Sequence, residues 1–228
     1  MEIERMKYTG RKLESRYLKP TPLPNSTVFL VDDDESIRRG LARLIKSHDH
    51  CVQTFASARK FLDSDWQSHR PACLVLDVRM PGLSGLDLQR ELQTEKAILP
   101  IVFITGHGDI PMSVKAMKEG AVDFLPKPVT DKDLLAAIER ALARAEHDRA
   151  ERNEIEDIQR RLDALTPRER EVMALIVRGL LNKQVAFELG TVEKTIKVHR
   201  ARVMEKMEVQ SLAELVRIAD RVGIGKTH

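Results

Sequence analysis

The sequence predicts an α/β fold over its first two thirds, a doubly wound five-stranded parallel sheet, followed by a small all-α domain of four helices. Three observations carry that expectation. Between Thr27 and Arg144, short apolar runs alternate with helical stretches five times, the pattern of βα units in a parallel sheet. Four of those runs stop at polar residues. Val28-Phe29-Leu30-Val31 ends at Asp32-Asp33-Asp34, Leu74-Val75-Leu76 at Asp77, Ile101-Val102-Phe103-Ile104 at Thr105, and Val122-Asp123-Phe124-Leu125 at Pro126-Lys127-Pro128. From Leu165 onward the strands vanish and only helical periodicity remains.

A chain of 228 residues has room for two small domains, each with its own core. No apolar run approaches the roughly 18 residues of a membrane span. The N-terminus carries scattered charges and no apolar core segment, so a signal peptide is not expected, and the location read is cytoplasmic. Cys51 and Cys73 lie in or beside apolar segments without motif spacing and read as buried free thiols.

Taken in order, residues 1–25 are basic (Arg5, Lys7, Arg11, Lys12, Arg16, Lys19) and then broken by Pro20, Pro22 and Pro24. They read as a disordered, solvated arm. Residues 26–144 form the first domain. After the acid cluster, Ile37, Leu41, Leu44 and Ile45 recur at helical spacing. Val52–Phe55 reads as a short strand and Ala58–Trp66 as a helix. Leu86–Leu92 follows the Asp77 strand as a helix. The apolar face of the next one includes Val114 and Met117, and it ends at Gly120. The last strand feeds a helix from about Asp131 carrying Leu134, Leu135, Ile138 and Leu142.

Residues 145–163 are mostly charged or polar, with only Ile155, Ile158 and Leu162 as an apolar stripe at helical spacing. They read as a long solvated linker helix. The stripe is too short to carry a coiled-coil seam alone.

In residues 164–228, Thr166-Pro167-Arg168-Glu169 has a cap residue, Pro at the first helical position and Glu at the third, the start of a helix. Val172, Leu175, Ile176 and Leu180 continue its apolar face. Asn182–Leu189 reads as a second helix closing at Gly190, Val192–Met207 as a third, and Ser211–Ala219 as a fourth.

The chemistry gathers at the strand ends, the edge where open α/β sheets bind ligands. Asp32, Asp33 and Asp77 would repel one another in a shared pocket, and such a cluster suits a hard divalent cation such as Mg²⁺. With phosphate held there, Asp77 becomes a nucleophile toward phosphorus. Lys127 offers a positive charge to the transferring group and Thr105 a hydroxyl.

Val31-Asp32-Asp33-Asp34, Asp77-Val78-Arg79-Met80-Pro81-Gly82, Thr105-Gly106-His107-Gly108-Asp109 and Phe124-Leu125-Pro126-Lys127-Pro128 together resemble the receiver domain of two-component response regulators, flavodoxin-like in fold. The likeness is greatest to the FixJ branch of the FixJ/NarL class and covers residues 26–145. It implies that Asp77 accepts a phosphoryl group from a sensor histidine kinase. It also implies that Asp33 and Asp77 ligate Mg²⁺, with Asp32 acting through water and the Arg79 backbone carbonyl completing the set. Thr105 and Phe124 match the family's switch pair, a hydroxyl drawn toward the phosphoryl group and a ring that turns inward behind it.

Asn182–Gly190 followed by Thr191–Val203 has the form helix, Gly turn, helix, in which the second helix enters the DNA major groove. Lys194, Thr195, Lys197, His199, Arg200 and Arg202 take its exposed positions. From Ala164 onward 12 Lys and Arg stand against 8 Asp and Glu, and much of that basic excess falls on the third helix, as phosphate contact needs. Leu165-Thr166-Pro167-Arg168-Glu169-Arg170-Glu171-Val172 with Thr195-Ile196-Lys197-Val198-His199-Arg200 resembles the LuxR-type domain. That likeness implies Lys197 and Val198 near base edges, with Lys183, Thr195, His199 and Arg202 near phosphates. Val192 stands where that family carries a Ser-like cap, so Thr191 is expected to cap the helix and start it one residue early. Ala201 stands where some relatives carry a further base reader.

The expectation is a phosphorylation-activated transcription regulator, not an enzyme, with a sensor histidine kinase and paired DNA half-sites as partners. A homodimer formed on phosphorylation and contact with RNA polymerase complete the set. Two rivals differ in class. A phosphatase with an aspartate nucleophile needs a second acid two residues on, where Arg79 stands. A purely protein-binding last domain would show no salt-dependent DNA affinity.

Overall fold

The structure is a computed structural model that describes residues 26–68, 71–95, 99–106 and 110–224. The basic arm read over residues 1–25, and His107-Gly108-Asp109 of the third motif, lie outside the described residues. The chain divides after Ala145 into two compact units.

In the first unit β1 (Thr27–Val31), β2 (Cys51–Phe55), β3 (Ala72–Asp77), β4 (Ile101–Thr105) and β5 (Asp123–Pro126) form one parallel sheet in the order β2-β1-β3-β4-β5. Between them run α1 (Glu35–Lys46), α2 (Ala58–Leu62), α3 (Gly85–Thr94) and α4 (Ile110–Lys118), and α5 (Asp131–Asp163) follows β5. Because successive strand side chains alternate faces, each strand feeds two cores. Phe29, Val31, Leu74, Leu76 and Phe103 pack with α2, α3 and α4. Val28, Leu30, Val75, Val102 and Ile104 pack with Ala42 and Ile45 of α1 and with Leu134, Ile138 and Leu142 of α5. Burial on both faces accounts for the near-continuous apolar runs.

The strand order reverses between β1 and β3, which pair with Val31 opposite Leu76. The residues immediately following that pair, Asp32 and Asp77, therefore emerge side by side at the switch point.

Several expectations need correction. The helix read over Ala58–Trp66 stops at Leu62, because Ser64 Oγ donates to the Phe61 carbonyl at 2.6 Å and Asp63 closes the turn. Trp66 begins a separate 3₁₀ turn, Trp66–Ser68, and stacks on Phe61 at 5.6 Å between ring centroids. Cys73 is buried, and burial pushes its thiol well above the ordinary range, but Cys51 is exposed since β2 is an edge strand. The helix after β5 and the linker helix are one continuous element, α5.

The second unit contains α6 (Pro167–Val177), α7 (Asn182–Glu188), α8 (Glu193–Lys206) and α9 (Leu212–Arg221). Ile158 and Leu162 of α5 join Val172, Ile176, Val185, Ile196, Val203 and Leu215 in its core. Thr166 and Glu169 form the expected capping box on α6. Gly179 and Gly190 take positive φ of 91° and 60° at the two turns that follow, where an L side chain would be strained. Thr191 does not start α8 early. Its N–H closes onto the Ala186 carbonyl, Val192 is extended at the cap position without a side-chain bond, and α8 begins at Glu193.

Among the described residues no helix is long and apolar enough to cross a membrane.

Candidate functional site

Asp32, Asp33, Asp77 and Lys127 converge at the carboxyl edge of the sheet. Asp32 is fully buried and Asp77 nearly so, at 6% exposure, whereas Asp33 is exposed. Each of the three offers a carboxylate oxygen, all within 4.8 Å of one another. Lys127 Nζ bridges the buried pair, 2.7 Å from Asp32 Oδ2 and 2.6 Å from Asp77 Oδ2. The other oxygen of each carboxylate is held by backbone: Asp34 N–H donates to Asp32 Oδ1 at 2.9 Å, and Arg79 N–H to Asp77 Oδ1 at 3.1 Å.

Burial pushes the Asp32 carboxyl above its ordinary value, with the Lys127 hydrogen bond pulling the other way. Burial acts to lower Lys127, but its hydrogen bonds to Asp32 and Asp77 outweigh that and hold the ammonium above its ordinary value. One lysine charge thus offsets part of a dense negative cluster. The donor set of three carboxylate oxygens fits a hard divalent cation.

Thr105 ends β4 with 1% exposure, and its carbonyl accepts the Lys127 N–H at 2.7 Å. Phe124 is half-buried on β5, its ring 6.1 Å from that of Phe103. The sheet register, which pairs Thr105 with Pro126 and Phe103 with Phe124, places the hydroxyl and the ring on two adjacent strands, with the lysine just past the end of the second. Arg79 lies in the loop after β3 with an exposed side chain.

Two residues at this edge were not singled out from the sequence. Arg38 on α1 donates through Nη1 to the Asp32 and Asp33 carbonyls. Gly85, the first residue of α3, lies so close beneath the site that an added Cβ would fall 2.3 Å from the Asp77 carbonyl oxygen. Backbone cannot yield as a flexible side chain can. Gly85→Ala is therefore expected to cost about 1–3 kcal/mol, read as a lower urea midpoint for the first unit, and to displace Asp77.

In the second unit, Lys183 of α7 and Lys197, Val198 and Arg202 of α8 are exposed. Lys197 pairs with Glu193 one turn earlier at 3.1 Å. Such a surface pair is worth only about 0.3–0.5 kcal/mol, so it yields readily to another anion. Three positions read as exposed are only half so. Thr195 lies in the first turn of α8, Arg200 donates to Asn182 Oδ1 at 3.2 Å, and His199 has a buried Nδ1 with no partner among the described residues. Arg200 therefore ties α8 to α7.

Residues 28–139 match the family of the response regulator receiver domain, and residues 163–219 that of bacterial regulatory proteins of the luxR family. The chain is 49% identical over 201 residues to nodulation protein W of Bradyrhizobium diazoefficiens, spanning 88% of each chain. It is 44% identical over 199 residues to the transcriptional regulatory protein FixJ of Rhizobium meliloti, spanning 87% of this chain and 97% of that one. Among solved structures it is similar to the response regulator StyR, with a TM-score of 0.78 and 48% identity over 86% of this chain and 99% of the other. Full-length FixJ from B. japonicum gives a TM-score of 0.53 at 44% identity, over 86% and 97%.

Proposed function

Since the chain belongs to the two-component response regulators that join a receiver domain to a LuxR-family DNA-binding domain, we propose that Asp77 is its phosphoryl acceptor and α8 its DNA-reading helix. Its relatives are transcription regulators, and the carboxylate cluster bridged by Lys127 is the observation that carries the acceptor assignment.

An Asp77 carboxylate oxygen attacks phosphorus of a kinase phosphohistidine. The new O–P bond forms as the N–P bond breaks, and the imidazole leaves with the electron pair. Asp33, Asp77 and the Arg79 carbonyl would hold Mg²⁺, with Asp32 reaching it through water. When bound, the ion supplies positive charge against the phosphoryl oxygens. Lys127 shares that task from the other side, turning from Asp77 Oδ2 toward the new phosphoryl group. The Thr105 hydroxyl then donates to that group, and the Phe124 ring packs into the space the threonine leaves. This two-state element favours a homodimer that binds paired half-sites and presents itself to RNA polymerase.

On the DNA, Lys197 and Val198 face base edges, and Lys183, Thr195, His199 and Arg202 face phosphates. Fluorescence anisotropy on a selected duplex tests this reading. Phosphorylated protein is expected to bind more tightly than unphosphorylated protein, with affinity falling as salt rises. Lys183→Ala should weaken binding to all sequences alike and flatten the salt slope by about one, whereas Lys197→Ala should cost about 1–3 kcal/mol and relax specificity. Salt-independent affinity, or a Lys183→Ala slope equal to wild type, would contradict it.

A further inference from the structure

We propose that Arg38 is a positioning residue for divalent-cation binding, holding Asp33 in place through its backbone. The inference rests on the reading of Asp33 as a cation ligand.

Asp33 differs from its two neighbours at the site. The Asp32 and Asp77 carboxylates are each fixed by Lys127 and by a backbone N–H. The Asp33 side chain is exposed, and among the described residues its carboxylate accepts no hydrogen bond and pairs with no cation. Only the main chain can place it. That main chain is clipped from one direction. Arg38 Nη1 donates to the Asp32 carbonyl at 2.6 Å and to the Asp33 carbonyl at 3.3 Å.

The clip itself is anchored. Asp34 Oδ1 caps α1 by accepting the N–H groups of Ser36 and Ile37 at 2.8 and 3.1 Å, and the Arg38 N–H donates to the Asp34 carbonyl at 2.9 Å. Successive side chains of an extended strand point to opposite faces. Two consecutive aspartates therefore reach one site only if the backbone between them leaves strand geometry, and the carbonyls at that departure are the ones Arg38 holds. Fixing the loop beforehand removes an ordering cost that a cation would otherwise meet on binding.

The guanidinium charge acts in the opposite sense, since it repels a cation. Arg38→Lys separates the two effects: it keeps the charge, while its shorter side chain carries no Nη1 to reach the two carbonyls. The experiment is calorimetric titration of the full chain with Mg²⁺ for wild type, Arg38→Lys, Arg38→Met, Asp33→Asn and the Asp33→Asn/Arg38→Lys double variant. Thermal midpoints without Mg²⁺ accompany it.

Arg38→Lys should weaken Mg²⁺ about tenfold, the size usual for a group that orients a metal ligand. The loss should disappear in the Asp33→Asn background, because the residue acts through Asp33. Three results would overturn the proposal. One is Arg38→Lys with wild-type affinity and a lowered midpoint, which makes Arg38 merely structural. Another is wild-type affinity in Arg38→Lys with tighter binding in Arg38→Met, which makes it purely electrostatic. The third is a loss that persists undiminished without Asp33. Wild-type Mg²⁺ affinity in Asp33→Asn would instead overturn the underlying reading of Asp33.

Discussion

Lys127→Met is expected to slow phosphorylation of Asp77 by a small phosphodonor about 100-fold, the effect typical of removing one charge aimed at a transferring group. The substituted side chain keeps the length and loses the ammonium that bridges Asp32 and Asp77, at 2.7 and 2.6 Å. Asp32 is fully buried, so without the ammonium it has no cationic partner among the described residues and favours its protonated form still more strongly.

That has a consequence for stability. A carboxyl whose folded pKa lies above its unfolded value stabilises the fold at low pH and loses that contribution as pH rises through the folded value. Lys127→Met should therefore lose stability relative to wild type as pH rises above the ordinary aspartate value of 3.8. In wild type the raised Lys127 pKa keeps the pair's contribution intact below the ordinary lysine value of 10.5 and loses it only above. Adduct formation followed by intact mass, and urea midpoints at several pH values, check the two statements. Phosphorylation at the wild-type rate would show that the ammonium plays no part in the transfer.

Glu169→Ala should cost the second unit about 3 kcal/mol, the lower end for removing one partner of a buried ion pair, since Lys206 is itself partly exposed. The Glu169 side chain is 2% exposed, accepts from Lys206 Nζ at 2.7 Å and from the Thr166 N–H at 2.9 Å, and receives the Lys206 charge from the far end of α8. The Lys206 hydrogen bond, the largest cause, holds its carboxyl down to about 2. A lowered folded pKa stabilises above the unfolded value of 4.5 and is lost as pH falls toward about 2. Acid unfolding of α6–α8 should be steeper in wild type than in the variant across that interval. Hydrogen exchange of α6–α8 peptides in the full chain reads this without separating the units. Equal protection in both proteins would mean that Glu169 does not pin α6 to α8.

How much of this was legible in the sequence depended on whether a residue's partner has a sequence signature. Asp32, Asp33, Asp77, Thr105 and Lys127 could be placed together because every strand of a parallel sheet delivers its carboxyl end to one edge. The capping box at Thr166 and Glu169 was equally visible, since it is local. Arg38 and Gly85 were not. Their partners are main-chain carbonyls of Asp32, Asp33 and Asp77, and a carbonyl leaves no trace in residue type.

The early end of α2 leaves no mark in the apolar pattern, because Phe61, Leu62 and Trp66 continue a helical spacing through Asp63 and Ser64, where the chain turns. Cys51 was misplaced because residue type does not reveal that its strand lies at the edge. The half-burial of His199 and Arg200 depends on how α7 packs on α8, which periodicity along α8 alone does not report.

The most direct measurement is the intact mass of the full chain after incubation with Mg²⁺ and a small phosphodonor, comparing wild type with Asp77→Asn. A single phosphoryl adduct on wild type and none on the variant is the expected result. An adduct of equal yield on Asp77→Asn would place the acceptor elsewhere. No adduct on either protein would leave the acidic edge without the chemistry assigned to it.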